Sequence, residues 1–336
     1  MAKRKISVGV IGLGSMGLGA ARTLLRKGFE VHACDARPEV VRNFAREGGV
    51  AASSPAELGK HAKIVLILVV NADQTEQVLF GPDGAVSTLA KGSVVMSSST
   101  VAPEFSVQLG QRLKAAGLLM IDGPVSGGAA RAAKGELSVM ASGEDAAFRK
   151  AKPVLDAVAA KVYRLGDKPG QGSKVKMINQ LLAGVHIAAS AEAMALGIKA
   201  GVDPHVLYEV ISNSAGSSWM FQNRVPHILA GDYAPLSAVN IFVKDLGIVL
   251  ESARKMTFPL PLTASAHQMF LGAAGKGLGY EDDSAVIKVY QALSGIRLPK
   301  PAKAKAAKGR AAKPAAARKV AAARTKAAKP KARRAK

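Results

Sequence analysis

Short apolar runs alternate with amphipathic stretches from the N-terminus to about Leu165. Such apolar runs are typical of strands buried on both faces. The amphipathic stretches between them are typical of helices that cover the strands. The alternation predicts a doubly wound, Rossmann-type parallel sheet. Strands are expected at 7–11, 31–34, 64–69, 93–97, 118–122 and 137–141.

Beyond Gly172 the pattern changes to long stretches of helical periodicity. The first ends at Gly201, which suits a helix C-terminus, and Asp203 with Pro204 then suits an N-cap and a first helical position. Helices are expected at 173–200, 202–224, 238–255 and 260–274.

The chain has 336 residues, 49% of them hydrophobic, which is enough for two domains with sizeable cores. We therefore expect an α/β fold, with a doubly wound domain over 1–165 and an all-α domain over 166–298. The remaining segment, 299–336, holds 15 of the 47 Lys and Arg residues and no acidic one. Because it lacks the apolar residues of a core, this basic tail is predicted to be disordered.

Two interpretations of the basic tail stay open. It is either a solvated segment without a dedicated partner or a contact with nucleic acid, made without sequence preference through the phosphates. The rest of the chain keeps 32 basic and 24 acidic residues, a formal net charge of +8. That excess weakly favours a small anionic substrate.

Cys34 is the only cysteine, which excludes internal disulfides and a cysteine-based zinc cluster. This usage fits a reducing compartment, and we expect a cytoplasmic protein. The six histidines show no ligand spacing, so no metal site is expected. The longest apolar run, 64–70, has 7 residues, too few to cross a bilayer. We reject a signal peptide at the N-terminus because its removal would delete the first strand.

A glycine-spaced turn follows the first predicted strand in the run VGVIGLGSMGLGA. Gly12 permits a tight turn, Gly14 lets the backbone approach a pyrophosphate, and Gly17 allows a helix to pack closely on the strand. That helix is expected to begin near Met16, beside Ser15, and its N-terminus would face the phosphates. The turn predicts a bound dinucleotide.

Asp35 ends the second predicted strand, 18 residues past the last glycine of the turn. A carboxylate at this spacing binds a ribose 2′-hydroxyl and would repel the 2′-phosphate of NADP. Arg37, two positions later, is the residue that could instead accept such a phosphate. The pattern favours NAD over NADP.

In the predicted helix 173–200, Lys176 and Asn179 fall on one face. Periodicity alone favours a solvated lysine. The alternative is catalysis, because oxidation of an alcohol needs a base, and lysine serves only if its pKa falls from about 10.4 toward neutrality. The opposite face carries an apolar stripe that is expected to pack inward: Val175, Ile178, Leu182 and Val185.

Four motifs occur in order: VIGLGSMGLGAA at 10–21, DGPVSGG at 122–128, GQGSKVKMINQ at 170–180 and KDLG at 244–247. Together they resemble the β-hydroxyacid dehydrogenases, the family of 3-hydroxyisobutyrate dehydrogenase. The resemblance implies hydride transfer to NAD from a hydroxy acid. The runs VNADQTEQVLFG and SWMFQNRVPHIL resemble members acting on sugar acids, which implies oxidation of L-threonate to 2-dehydro-L-erythronate. The alternatives are 3-hydroxyisobutyrate and tartronate-semialdehyde chemistry.

The resemblance also implies a role for each matching residue. Lys176 would be the catalytic acid/base and Asn179 would orient the substrate. The loop of Ser126, Gly127 and Gly128 would hold the substrate carboxylate. The expected cofactor contacts form a larger set: Gly12, Gly14, Ser15, Met16, Gly17, Asp35, Val69, Asn71, Thr100 and Lys244.

The chain departs from the family pattern at two of these motifs. Gln180 stands where the family commonly has a second Asn, and Val70 where it commonly has Pro. The first departure is expected to retune substrate contacts and the second the nicotinamide pocket. Because relatives pair through the helical domain, the resemblance also implies a homodimer or homotetramer.

Overall fold

The structure, a computed structural model, describes residues 6–300. Parallel strands form its main sheet: β1 Ser7–Ile11, β2 Glu30–Cys34, β3 Val50–Ala51, β4 Ile64–Ile67, β5 Val94–Ser97 and β6 Leu119–Asp122. Their order is β3-β2-β1-β4-β5-β6. The strand order reverses between β1 and β4, which is where doubly wound folds bind dinucleotides. The predicted doubly wound fold is confirmed.

Alternate residues of the central strands enter two different cores. In β4, Ile64 and Leu66 pack on one side of the sheet, and Val65 and Ile67 on the other. A sheet buried on both faces explains why its strands are continuous apolar runs in the sequence. The covering helices are α1 Ser15–Arg26, α2 Pro38–Arg46, α3 Pro55–Gly59, α4 Ala72–Phe80, α5 Pro103–Ala115, α6 Gly128–Lys134 and α7 Asp145–Val158.

The predicted strand 137–141 exists but does not join the main sheet. It is β8 Leu137–Ala141, which lies between β7 Val125–Ser126 and β9 Ala159–Arg164 in a small separate sheet. The sequence did not predict β9 because no position of AAKVYR is fully buried. The division into domains at 165/166 remains a prediction, and it falls just after β9 ends.

A second core forms around a long helix in the C-terminal region. The helices there are α8 Gln171–Lys199, α9 Pro204–Ser212, α10 Trp219–Ala230, α11 Val239–Lys255, α12 Pro261–Ala273 and α13 Ile287–Ser294. Gly201 adopts φ +83°, and the Asp203 carboxylate accepts hydrogen bonds from two backbone N–H groups of α9. Both helix-end predictions at this turn are confirmed.

The single helix predicted over 202–224 is wrong. The chain leaves helical geometry after Asn213 and restarts at Ser218, whose hydroxyl accepts a hydrogen bond from the backbone N–H of Phe221. The intervening segment is small and polar, with Gly216, and favours a turn over a helix. The helix expected over 260–274 ends at Ala273 and continues as a short π-helical turn.

The length and composition of α8 would also allow a membrane span. Helices α9 to α13 all pack against it, however, and it contacts β8 of the first domain. The helix therefore serves as the central element of the second core. The basic tail, apart from its first two residues, lies outside the described residues, so its predicted disorder stays a prediction.

Candidate active site

The glycine turn between β1 and α1 is built by close backbone contacts. Gly12 adopts φ +92°, and a Cβ there would lie 2.7 Å from the carbonyl oxygen of Leu68. A Cβ on Gly17 would lie 1.8 Å from the carbonyl oxygen of Gly12. These two positions accept only glycine because any side chain would push the helix off the strand.

The N-terminus of α1 is open. The helix begins at Ser15 after Gly14, with no side-chain cap, so the first N–H groups lack a helical partner. A Cβ built on Gly14 would meet no atom within 4 Å. Gly14 therefore faces free space in front of the unpaired backbone N–H groups of α1. The positive end of the helix dipole lies at the same place. This geometry fits the pyrophosphate of a dinucleotide.

Asp35 lies beside this turn at the end of β2. Its Oδ2 accepts a hydrogen bond of 2.6 Å from the backbone N–H of Leu13, and its Oδ1 accepts from the side chain of Arg37 at 2.9 Å. Burial acts to raise the pKa of the Asp35 carboxyl, but the hydrogen bonds from Arg37 and Leu13 outweigh it, and the pKa is lowered. The charged carboxylate thus holds the backbone of the turn at Leu13 and forms an ion pair with Arg37.

The other expected cofactor residues follow β4 and β5. Val69 lies beyond the end of β4 at Ile67, so the predicted strand 64–69 is two residues too long. Asn71 caps α4, because its Oδ1 accepts from the backbone N–H of Gln74 at 2.8 Å. The carbonyl oxygen of Thr100 accepts a hydrogen bond of 2.8 Å from Lys244 Nζ. This last contact connects the strand end with α11 of the helical domain.

Lys176 is buried, with 7% of the residue exposed, so the solvated lysine suggested by periodicity is wrong. Burial lowers its pKa to about 8; Asp245 acts to raise it and Lys244 lowers it further. The expected apolar stripe is wrong at three of its four positions, since Val175, Ile178 and Leu182 are each at least 42% exposed, whereas Val185 packs against the helical core. The buried face of α8 thus includes Lys176 and Gln180, with Asn179 half-buried beside them.

A chain of polar contacts joins α8 to α11. Asp245 Oδ1 lies 2.6 Å from Lys244 Nζ, and its Oδ2 accepts a hydrogen bond of 2.6 Å from Gln180 Nε2. Gln180 Oε1 accepts a hydrogen bond of 2.9 Å from Asn179 Nδ2. The sequence pattern assigned no site role to Asp245, and Gln180 was expected only to retune substrate contacts. The only signals were the KDLG motif and the departure at Gln180.

The loop expected to hold a carboxylate begins in β7. Ser126 pairs with Ser138 of β8, and Gly127 and Gly128 adopt φ +134° and +72° where α6 begins. No side chain caps this helix start. The described contacts do not join the loop directly to Lys176. The loop leaves the backbone N–H groups at the start of α6 without a side-chain cap, and its contact with the substrate carboxylate stays a prediction.

Asp122, the last residue of β6, connects that region to α8. It is 1% exposed, and its Oδ2 accepts from the backbone N–H groups of Gly170 and Ser173 at 2.8 and 2.9 Å. Its Oδ1 also accepts from Ser173 Oγ at 2.7 Å. The carboxylate thus fixes the N-terminus of the helix that carries Lys176.

Two family models match consecutive parts of the chain. Residues 7–166 match the NAD-binding domain of 6-phosphogluconate dehydrogenase, and residues 170–290 match the NAD-binding domain of NADP-dependent 3-hydroxyisobutyrate dehydrogenase. The L-threonate dehydrogenase of Cupriavidus necator is 63% identical over 297 residues, which are 88% of this chain and 99% of that protein. The chain belongs to the 3-hydroxyisobutyrate dehydrogenase family. It is an NAD-dependent hydroxyacid dehydrogenase.

Other relatives agree with this assignment. The L-threonate dehydrogenase of Escherichia coli K12 is 51% identical to this chain over 293 residues. These residues are 87% of this chain and 96% of the Escherichia coli protein. The crystal structure of a 3-hydroxyisobutyrate dehydrogenase from Salmonella typhimurium superposes with a TM-score of 0.81 at 53% identity, covering 85% of this chain and all of that one. Within residues 6–300, no group of three His, Cys, Asp or Glu side chains could hold a metal ion.

Proposed function

We propose that this dehydrogenase oxidises L-threonate to 2-dehydro-L-erythronate with NAD, and that Lys176 is the general base. The observation that carries the proposal is the buried Lys176 amine, whose pKa is lowered to about 8. The 63% identity to an L-threonate dehydrogenase supports the substrate. The alternative within the same mechanism is 3-hydroxyisobutyrate or a tartronate-semialdehyde type acid.

In this mechanism Lys176 accepts the proton of the substrate hydroxyl group. The carbon that carries this hydroxyl group loses its hydrogen as a hydride, and NAD, when bound, accepts that hydride. Asn179, one turn along the helix, orients the substrate, and the backbone donors of Ser126, Gly127 and Gly128 hold its carboxylate. Because only the neutral amine is a base, the rate of oxidation rises with pH up to about 8, the pKa of Lys176.

The open helix start would hold the NAD pyrophosphate at the backbone of Ser15, Met16 and Gly17. Asp35 would bind the adenosine ribose and favour NAD over NADP, because its charge repels a 2′-phosphate. Val69, Asn71 and Thr100, which follow β4 and β5, would contact the nicotinamide half together with Lys244, whose Nζ donates to the carbonyl oxygen of Thr100.

A panel of three- and four-carbon hydroxy acids tests the substrate assignment. Full-length enzyme is mixed with each acid and with NAD or NADP, and NADH or NADPH absorbance is followed. We expect the highest kcat/KM with L-threonate and NAD. No turnover of threonate alongside turnover of 3-hydroxyisobutyrate would replace the first substrate by the second.

We also propose that the dehydrogenase is a homodimer or homotetramer in the cytoplasm. Its outward apolar residues on α8, Val175, Ile178 and Leu182, support pairing through the helical domain. The free Cys34 fits a reducing compartment. Ile178→Glu should shift the mass measured by light scattering toward the monomer, and an unchanged mass would place the pairing surface elsewhere.

A second activity, binding of nucleic acid, is proposed for the basic tail 299–336. The match covers 99% of the Cupriavidus enzyme but 88% of this chain, so the relative is complete without a counterpart of the tail. Fifteen cations and no acid would bind duplex DNA with strong salt dependence. Deleting 299–336 should abolish retention on duplex DNA at low salt without changing kcat/KM, and unchanged retention would overturn the proposal.

A further inference from the structure

The Asp245, Gln180 and Asn179 side chains form a chain of hydrogen bonds with a fixed direction. Asp245 is 2% exposed and forms an ion pair with Lys244, so its carboxylate is charged and can only accept. The group that faces it must therefore be the amide nitrogen of Gln180, at 2.6 Å. The amide oxygen of Gln180 is left to face Asn179.

This direction continues into the substrate-orienting residue. Since Gln180 presents an oxygen, Asn179 must use its amide nitrogen in the contact of 2.9 Å. Within residues 6–300, the Asn179 Oδ1 accepts no side-chain or backbone hydrogen bond, so an acceptor is left over at the site. The buried charge of Asp245 thus decides, through Gln180, which end of the Asn179 amide is available.

We infer that Gln180 is a positioning residue that sets substrate specificity: it holds Asn179 with Oδ1 available, so that Asn179 accepts a hydrogen bond from a hydroxyl group of the substrate other than the one being oxidised. A polyhydroxylated acid supplies that donor, and an acid with a methyl or methylene group at the same place does not. The inference rests on the proposed role of Asn179 in binding substrate. It explains how this site prefers a sugar acid.

The length of the Gln180 side chain also matters. It bridges two partners that lie on different helices, Asp245 on α11 and Asn179 on α8. Gln180 is 8% exposed, so water is a poor substitute for either contact. Losing the bridge would let the Asn179 amide rotate and would leave a buried carboxylate oxygen without its donor.

The first test replaces Gln180 by Met, which has similar volume and no amide. We expect kcat/KM for L-threonate to fall about tenfold, mainly through KM, whereas kcat/KM changes by less than about twofold for whichever of its 3-deoxy and 4-deoxy analogues lacks the hydroxyl group that Asn179 binds. Gln171→Met, at an exposed position of the same helix, is the control and should change neither value. An equal loss for threonate and both deoxy acids would overturn the inference.

The second test is Asp245→Asn, which should reverse the direction of the chain. The new amide oxygen would face the Lys244 ammonium, its nitrogen would donate to Gln180, and Gln180 would then donate to Asn179 Oδ1. The preference for threonate over the deoxy analogue that lacks the hydroxyl group bound by Asn179 should fall about tenfold, as a ratio that is independent of any change in kcat common to both substrates. A folded, active variant with an unchanged ratio would contradict the inference.

A third measurement does not depend on turnover. In full-length ¹⁵N-labelled enzyme, the side-chain amide signals of Gln180 and Asn179 should shift in Asp245→Asn, and Gln180→Met should remove one pair and shift the other. If wild type oxidises no acid of the panel, the proposed function fails, and these signals alone decide whether the directed chain exists. Unshifted Asn179 signals in both variants would show that it does not.

Discussion

The two halves of the active site are built in different ways. In the doubly wound domain, the cofactor side consists mainly of backbone: glycine positions without side chains and free N–H groups at the start of α1. In the helical domain, the proposed substrate side consists of buried and half-buried polar side chains on α8 and α11, which are held by one another. In the first half, the space around the glycines limits which residues are accepted. In the second half, the electrostatic interactions of the polar side chains set that limit.

This difference predicts different consequences of mutation. A backbone cradle fails when an added methyl group takes up space, and the loss appears in folding or in NAD binding. A buried cluster of charges instead lowers stability in exchange for chemistry, because burial of an ammonium group opposes folding. Substitutions on the two sides should therefore separate stability, cofactor affinity and turnover.

The largest effect is expected from Lys176→Ala. Loss of the general base should lower kcat by a factor of about 10² to 10⁴, while NAD binding, measured by fluorescence titration, should stay within about twofold. Lys174→Ala, at an exposed position two residues earlier on the same helix, is the matched control and should keep normal turnover. A Lys176→Ala enzyme with substantial turnover would remove Lys176 from its proposed role.

Lys176→Met should be more stable than the wild type. The pKa of about 8 in the folded protein, against 10.5 for the free side chain, corresponds to a destabilisation on the order of 3 kcal/mol below pH 8. Between pH 8 and 10.5 the unfolded chain binds more protons, so wild-type stability should rise with pH relative to the variant. Urea unfolding across this window checks the difference. A constant difference would mean that the lysine is not desolvated.

Gly17→Ala and Gly14→Ala should fail in different ways. Because a Cβ at Gly17 would lie 1.8 Å from a carbonyl oxygen, the free energy of unfolding should fall by about 1–3 kcal/mol or more. Gly14 has open space instead, so its variant should fold normally but bind NAD at least about tenfold more weakly. Thermal unfolding with and without NAD distinguishes them. Normal NAD binding by Gly14→Ala would place the pyrophosphate elsewhere.

The smallest effect is expected from Asp35→Asn. Removing the charge eliminates repulsion of a 2′-phosphate and releases Arg37 from its ion pair. The ratio of kcat/KM with NAD to that with NADP should fall about tenfold, as expected for one charge-assisted contact. Asp156→Asn, an exposed acid on α7, controls for net charge. An unchanged ratio would mean that Asp35 acts only as a support of the glycine turn.

Local sequence determined the cofactor half of this protein almost completely. The strand, turn and helix around Gly12 and Gly17 form one continuous segment of the chain, and their conformations follow largely from glycine chemistry and apolar runs. The helix boundary at Gly201 and Asp203 was predictable for the same reason. The break at Gly216 was missed because adjacent apolar positions kept helical spacing on both sides of it.

Only the tertiary structure decided the substrate half. Periodicity favoured an inward apolar stripe on α8 and an exposed Lys176, whereas in the fold Lys176 is buried and three of the four stripe residues are exposed. Whether a lysine is buried, and whether Gln180 meets Asp245 at a distance of 65 positions in the chain, depends on how α8 and α11 pack. The lowered pKa of Lys176 and the fixed orientation of the Gln180 amide both depend on neighbours that are distant in the sequence. The sequence thus showed which residue types are present, but the burial and contacts of their side chains followed only from the tertiary structure.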